Sequence, residues 1–184
     1  LEGLPGLFNY VNDTLPDIHR ESVIADIGNW YWGFGNWISL LIDTIFIAFL
    51  GTVLGIIGAF IICFPASHNL MPDRKIYFVT RRIMEIARGV PELVYALIFV
   101  FSFGLGPFPG VLAISIHCVG AVGKLFAEVN ENIDPKPVEG IKASGANWFQ
   151  IIRYAVIPQV LPNFASYALL RFEINVRAAT VIGF

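Results

Sequence analysis

The sequence predicts an all-α protein whose helices form a polytopic transmembrane bundle. Of its 184 residues, 56% are hydrophobic and only 14% are charged, whereas soluble domains carry about 25% charged residues. The hydrophobic residues are gathered in long runs, and segments rich in proline, glycine and charge separate them. Lipid must therefore cover much of the surface, and helices satisfy their own backbone hydrogen bonds there.

Charge and cysteine content exclude several other classes of protein. A net charge of −2 gives no basic footprint for nucleic acid. Cys63 and Cys118 both lie in apolar runs, which predicts two small buried side chains. Neither a disulfide framework nor a metal site is expected from two cysteines so far apart.

The first segment, residues 1–36, predicts a periplasmic loop with one short helix. It carries five acidic residues against one arginine, together with two prolines and several glycines. Trp30, Tyr31, Trp32 and Trp37 follow at the edge of the first apolar run. They are typical of an aromatic belt at a membrane interface, and a small packed aromatic cluster is the alternative.

The run from Trp37 to Phe64 is the clearest predicted membrane span, since a bilayer core needs roughly 20 apolar residues in a helix. Gly51, Gly55 and Gly58 place small residues near one face, which predicts the close approach of another helix. Asp43 lies near the outer end of the run, and its carboxylate is expected to reach the interface.

The segment from Asp73 to Gly89 predicts an amphipathic helix at or just outside the membrane, with Asp73 as its N-cap. Its apolar residues recur every three or four positions, at Ile76, Val79, Ile83, Ile86 and Val90. Five of the twelve Lys and Arg residues are here, which predicts a cytoplasmic location. Residues 1–36 would then lie outside, and at least one further span is expected before Leu1.

Two shorter apolar runs follow. Leu93–Leu105 is short for a span and would need a helix that begins near Arg88, or shielding by neighbours. A tight outer turn is expected over residues 104–110, and Val111–Phe126 returns inward. Lys124 is expected to extend to the interface. His117 lies in mid-run, where either a satisfied hydrogen bond or a role in a pore would explain it.

A polar, small-residue loop over residues 127–162 interrupts the apolar runs. Asp134 and Pro135 predict the start of a helix, with Gly145 as the residue that ends it. Asn147 and Gln150 have the spacing of a capping box that starts a second helix, and Pro158 and Pro162 are expected to end or bend it. The turn is lined by small residues at Gly140, Ala143, Ser144, Gly145 and Ala146. Such a turn can dock on another protein, or it can be an ordinary helical hairpin.

The last apolar run contains Arg171, Glu173, Asn175 and Arg177 within seven residues. An arginine in mid-membrane costs about 2.5–3.5 kcal/mol on insertion scales, so these side chains should face the bundle interior or a water-filled path. Arginine also binds phosphorus oxyanions well. One hypothesis places Arg171 or Arg177 on a substrate pathway, and the alternative is an internal Arg–Glu pair that fixes helix packing.

Glu139, Gly145, Pro158 and Pro162 have the spacing of a known motif, and they resemble the EAA loop of ABC-importer permeases. Gly140 and Ile141 depart from the two alanines of that motif. The phrases VEGIKASGAN, IPQVLP and SYALLRFEINVRAATVIG are similar to one branch, the permeases for phosphonate, phosphite or hypophosphite. The resemblance covers roughly residues 38–184.

The resemblance implies a type I ABC-importer permease domain over residues 37–184, with its coupling loop at about 127–162. The implied partners are a second permease copy, two ATP-binding cassette subunits and a periplasmic solute-binding protein. The implied coupling residues are Glu139, Gly140, Ala143, Ser144, Gly145, Ala146, Pro158 and Pro162. A substrate pathway through Arg171, Glu173, Asn175, Arg177 and His117 is the hypothesis for the remaining polar residues.

No phosphate-binding loop of the G-x-x-x-x-G-K-[ST] type occurs in the sequence, so ATP and magnesium are expected to be used by the partner ATPase. The chain itself is expected to be no enzyme and to bind no cofactor, with a multi-pass location in the bacterial inner membrane. A secondary transporter or channel, a permease for another small solute, and a scaffold without conduction are the alternatives. Because the chain begins at Leu1 and stops inside an apolar run, it is expected to be a fragment of a longer protein.

Overall fold

The computed structural model describes residues 33–182, together with residues 24 and 31. This part of the chain is built from helices and the turns between them, which confirms the all-α prediction. In chain order the helices are α1 (Phe34–Cys63), α2 (Arg74–Gly89), α3 (Glu92–Phe103), α4 (Pro107–Glu131), α5 (Pro135–Ala143), α6 (Trp148–Ile151), a π-helical segment (Ile152–Val156) and α7 (Ile157–Ile182).

The chain divides into two compact units, residues 1–42 and residues 43–184. Most of the loop predicted over residues 1–36 lies outside the described residues, as do Trp30 and Trp32 of the predicted aromatic belt. Tyr31 packs edge-on against Phe34 and Trp37, with ring centroids 5.9 and 6.5 Å apart.

Two helices within the described residues, α1 and α4, are long and apolar enough to cross a membrane. The glycines of α1 lie against α4. A Cβ added at Gly55 would stand 2.5 Å from the Cβ of Cys118, and one at Gly51 would stand 2.8 Å from Cγ2 of Ile114. The predicted small-residue face therefore allows a close helix–helix contact, as expected.

Helix α2 starts where predicted, because the Asp73 side chain accepts a hydrogen bond from the backbone N–H of Lys75. Its buried residues, Met84 and Ala87, pack on Gly120 and Gly123 of α4. The predicted apolar stripe at Ile76, Val79, Ile83 and Ile86 is exposed in the single chain. The helix therefore contacts α4 through a second, narrower face.

Helices α2 and α3 are bent by 84° at a short break, and together they are long and apolar enough to form one broken span. Pro91 lies in the break, and α3 begins at Glu92 rather than near Arg88. The pair follows α4 in the opposite direction. Arg81 pairs with Glu131 near one end of α4, and Phe103 packs on Phe108 at the other.

Helix α4 is longer at both ends than the sequence predicted. Gly104 and Gly106 form the turn, with φ values of +86° and +158°, but Pro109 and Gly110, predicted to lie in it, are in the first turn of α4. Proline is tolerated there because the first N–H groups have no intrahelical acceptor. Residues 127–131, predicted as loop, continue the helix, and Asn130 and Glu131 form tertiary hydrogen bonds to Ser67 and Arg81.

Pro158 and Pro162 were predicted to end or bend a helix, and the first alternative is wrong, because α7 runs through both to Ile182. The five-residue π-helical segment lies immediately before it. Pro158 lies just after this segment, where the chain passes from π-helical to α-helical hydrogen bonding. The irregular hydrogen bonding thus falls in the π segment, and Pro162 is accommodated within the helix.

A hydrophobic cluster holds the ends of these helices together. Its buried residues come from α1, α4, the π segment and α7, and they include Met84 of α2. Phe126 and Phe164 stack face to face at 3.8 Å between ring centroids. Val138 and Trp148, from the loop predicted to be functional, pack on the same cluster, so the core supports that loop directly.

Candidate functional site

The first half of the predicted functional loop folds as expected from its caps. We call residues 134–151 the knuckle. The Asp134 side chain accepts a hydrogen bond from the Lys136 N–H at 3.0 Å, and α5 ends at Ala143. Gly145 follows with φ +84°, a left-handed conformation that is cheap only for glycine. The predicted helix and its glycine stop are confirmed.

The second half starts with the predicted capping box. The Gln150 N–H donates to the Asn147 side chain at 3.1 Å, and the Asn147 N–H donates back to the Gln150 side chain at 2.8 Å. These two reciprocal hydrogen bonds fix the direction of the chain where α6 begins, at Trp148. Helix, sharp turn and helix occur in the predicted order.

The knuckle presents an open surface of small residues. Five of the six predicted coupling residues in the knuckle are exposed: Glu139, Gly140, Ala143, Ser144 and Gly145. The sixth, Ala146, is partly exposed. A Cβ at Gly140 or Gly145 would meet no atom within 4 Å. Phe149 adds a large apolar side chain, 75% exposed, beside them. Such a surface is free to receive another protein.

Pro158 and Pro162, the other two predicted coupling residues, lie outside the knuckle on the exposed side of α7. The residue between them that contacts the knuckle is Gln159. It accepts a hydrogen bond from the Asp134 N–H at 3.1 Å and donates to the Asp134 carbonyl at 3.4 Å. This contact could not be predicted from local patterns, because the two residues are 25 positions apart.

The charged stretch of α7 separates into two faces. Glu173 and Arg177 pair at 3.5 Å, and their side chains are 70% and 80% exposed. Asn175 is fully buried, and Arg171 is partly buried. Helical geometry explains the division, since residues four apart share a face and residues two apart do not. The structure therefore does not bring the four predicted residues into one site.

Arg171 and His117 do come together, across α7 and α4. Nη2 of Arg171 lies 2.6 Å from Nδ1 of His117, and Oε2 of Glu92 lies 3.8 Å from the same nitrogen. The side chain of Glu92 at the start of α3 thus places a negative charge beside the guanidinium. Sequence reasoning missed Glu92 in this role, although an acid next to an apolar run was a usable signal.

Asn175 joins α7 to α1. Its side-chain amide donates a hydrogen bond to Oγ1 of Thr52 at 2.8 Å, and both residues are buried. Thr52 in turn donates to the Ala48 carbonyl. Thr52 was also missed, because a threonine within an apolar run is ordinarily satisfied by its own helix.

The structure places no candidate metal cluster in this region. Within the described residues, no three His, Cys, Asp or Glu side chains are grouped so as to hold a metal ion. The polar side chains inside the bundle make pairwise contacts between helices instead.

The family assignment follows from the sequence of these same elements. Residues 51–184 match the family described as "Binding-protein-dependent transport system inner membrane component". The chain belongs to this permease family. The match includes the knuckle and the whole charged stretch, and it confirms the resemblance on which the coupling residues were predicted. Members of the family are transport subunits and not enzymes.

Curated relatives point to one branch of the permeases. The chain is 38% identical, over 183 residues, to a phosphite transport system permease protein of Stutzerimonas stutzeri. It is 36% identical, over 145 residues, to a phosphate-import permease protein of Mycolicibacterium smegmatis. These alignments cover 100% and 79% of this chain, and 62% and 27% of the two relatives. The chain therefore spans about three fifths of the length of the first relative.

A solved structure supports the same fold. An amino acid ABC transporter crystallised with histidines matches with a TM-score of 0.63 at 21% identity, covering 83% of this chain and 74% of that one. At this identity the likeness concerns the fold alone. It confirms that the permease has the predicted ABC-importer helical architecture.

Proposed function

We propose that this permease is the transmembrane subunit of an ATP-driven importer of phosphonate-type or reduced phosphorus oxyanions. It acts by alternating access in the bacterial inner membrane, with the knuckle and residues 127–133 on the cytoplasmic side. The observation that carries the proposal is the match to a phosphite permease along the whole chain.

The partners follow from the family description, which names dependence on a binding protein. Two copies of the permease form the pathway, a solute-binding protein delivers the anion from outside, and two ATP-binding cassette subunits bind below. ATP and magnesium are bound by those subunits. The knuckle is the docking element for the ATPase, because Glu139, Gly145 and Phe149 form an exposed and small-residue-rich surface on a well-capped turn.

Arg177 is the better candidate for contact with the transported anion. Its guanidinium and the Glu173 carboxylate are exposed in the single chain, and exposure of both charges to lipid would cost several kcal/mol. This face must therefore lie against water or another protein chain. Arg171 is held by His117 beside Glu92, which makes it a packing residue of the bundle interior.

The test is uptake by the complete transporter in proteoliposomes. Phosphite, hypophosphite, methylphosphonate and phosphate are supplied with the binding protein, with and without ATP inside the vesicles. We expect uptake of at least one anion that requires ATP, the binding protein and the ATPase subunits together.

Uptake driven by an ion gradient without ATP would replace the importer by a secondary transporter. ATP-dependent uptake of a different solute, with no phosphorus oxyanion carried, would retain the importer and overturn the substrate class. Omission of the ATPase subunits serves as the matched control for leakage.

A further inference from the structure

Trp148 connects the knuckle to a distant part of the chain. Its indole N–H donates a hydrogen bond to the Leu70 carbonyl at 2.9 Å, and the two residues are 78 positions apart. Trp148 is partly buried, whereas the neighbouring Phe149 is 75% exposed. The two aromatic residues that begin α6 thus point in different directions, one towards the bundle and one away from it.

The segment that receives this hydrogen bond is fixed in place. We call residues 64–73, between α1 and α2, the clamped loop. Arg81 of α2 donates to the Ala66 carbonyl at 3.1 Å and to Glu131 at 2.7 Å, and Glu131 also accepts from the His68 N–H at 2.8 Å. Helices α2 and α4 therefore hold the loop from two sides.

The clamped loop is also hydrogen-bonded to the end of α1 and to α4. The Asn130 side chain donates to Oγ of Ser67 at 3.1 Å, and Ser67 donates to the Cys63 carbonyl at 2.7 Å. Ser67 and Asn130 are fully buried, where a hydrogen bond is costly to break. A displacement of the loop would therefore move α1 and α4 with it.

The knuckle and the clamped loop are not packed together along their whole length. A cleft of about 400 Å³ lies between them, lined by residues of both, including His68, Met71, Val138 and Lys142. Across this space the knuckle and the clamped loop make no direct contact. The Trp148–Leu70 hydrogen bond crosses from one wall of this cleft to the other.

We propose that Trp148 is a positioning residue that passes the displacement of the knuckle, through the Leu70 carbonyl, to the clamped loop and so to α1 and α4. The inference rests on the proposed function, in which an ATPase subunit moves the knuckle. Trp148 itself need not touch that subunit, since its ring faces the bundle.

The main variant removes the indole N–H and keeps a two-ring side chain of similar shape. In the complete transporter, Trp148 is replaced by 3-benzothienylalanine, in which sulfur takes the place of the N–H group, and in a second variant by phenylalanine. Tyr154→Phe, which removes one polar group from an exposed aromatic residue of the π segment, is the matched control. Three quantities are measured: co-purification of the ATPase subunit, ATP hydrolysis, and phosphite carried per ATP hydrolysed.

We expect both Trp148 variants to retain the ATPase subunit and to hydrolyse ATP at the wild-type rate. The phosphite carried per ATP should fall about fivefold, the factor expected for the loss of one hydrogen bond, and the control should be unchanged. An unchanged ratio in the benzothienylalanine variant overturns the inference. Loss of the ATPase subunit in that variant also overturns it, because Trp148 would then serve assembly.

Failure of the proposed function is distinguishable in the same experiment. If the wild-type complex shows no ATP-dependent uptake of phosphite or of any other anion in the uptake test above, the proposed function itself is wrong, and this inference falls with it. If the wild type transports normally and the Trp148 variants carry as much phosphite per ATP as the wild type, the proposed function stands and the transmission through Trp148 is rejected.

Discussion

The guanidinium of Arg171 lies 2.6 Å from Nδ1 of His117. Because arginine has donors and no acceptor, Nδ1 must accept this hydrogen bond, and the imidazole carries its proton on Nε2. The carboxylate of Glu92, 3.8 Å from the same nitrogen, then balances the charge of Arg171 and accepts nothing from His117. The hydrogen bond joins α4 and α7 inside the bundle, and Glu92 of α3 places its carboxylate near this contact.

The first prediction concerns the charge balance at this contact. Arg171→Gln removes the cation that attracts the Glu92 carboxylate in a partly buried site, and a carboxylate that loses its neighbouring positive charge there destabilises the fold. We expect a clear loss of folded permease, measured by yield and by thermal unfolding in detergent. The double variant with Glu92→Gln should recover much of that loss. A double variant less stable than Arg171→Gln would contradict an electrostatic attraction between Arg171 and Glu92.

The second prediction separates Arg177 from Arg171. Because Arg177 is 80% exposed, Arg177→Gln should leave the stability of the permease within about 0.5 kcal/mol of wild type. Anion uptake should nevertheless fall, by about tenfold for the loss of one charge-assisted contact. Glu173→Gln is the matched control, since it changes the other exposed member of the pair without removing the cation. Wild-type uptake by Arg177→Gln would remove Arg177 from the pathway.

The third prediction tests the knuckle at Gly145. Its φ of +84° costs an L-residue about 1–2 kcal/mol, so both Gly145→Ala and Gly145→Trp strain the turn equally. Only tryptophan adds bulk to the exposed surface. We therefore expect a mild defect with alanine and loss of the ATPase subunit or of coupling with tryptophan, measured by co-purification and uptake.

Gly35→Trp provides the control for Gly145→Trp, because it adds the same bulk at an open site at the start of α1. Normal transport by Gly145→Trp would show that the knuckle is not the coupling element.

The fourth prediction tests the contact between α2 and α4. A Cβ on Gly120 would lie 2.6 Å from the Arg88 backbone nitrogen and 2.7 Å from the Met84 carbonyl oxygen. Backbone atoms cannot give way as side chains can, so Gly120→Ala should destabilise the permease by about 1–3 kcal/mol. Thermal unfolding in detergent measures the effect. Gly35→Ala, where the added methyl meets open space, should cause no loss.

The fifth prediction applies a double-mutant cycle to the hydrogen bond between Asn175 and Thr52. Thr52→Val removes the acceptor and leaves a buried amide N–H without it. Combined with Asn175→Leu, it should show a coupling free energy of about 0.6 kcal/mol, the average for polar contacts between membrane helices. Unfolding of each variant in mixed micelles provides the four free energies. Strict additivity would mean that the contact contributes nothing.

Local features of the knuckle were predictable from the sequence because each depends on residues within four positions of one another. Asp134 caps α5 through the second residue after it, Asn147 and Gln150 bond to each other, and Gly145 supplies the left-handed turn. The first span and its glycine face were equally clear, since length and small-residue spacing are local properties. Helical periodicity could also have separated Arg171 and Asn175 from Glu173 and Arg177.

The continuation of helices beyond their predicted limits was not predictable in this way. Residues 127–131 looked like loop because they are polar, yet Asn130 and Glu131 find their partners in Ser67 and Arg81. Pro158 and Pro162 were typical of a helix end or a bend, but the helix continues through both, and the π segment with its irregular hydrogen bonds lies before them. Polar residues and prolines raise the free energy of a helix locally. Whether the helix continues depends on the contacts that the surrounding structure provides.

The sequence by itself therefore determined the membrane class, the caps and turn of the knuckle, and the resemblance to a permease family. The tertiary structure alone decided that Trp148 reaches Leu70, 78 positions away, and that Arg171 reaches His117, 54 positions away. The physical reason is the range of the interactions. Caps and turns are fixed by hydrogen bonds along one stretch of backbone, whereas these contacts exist only after the helices have packed.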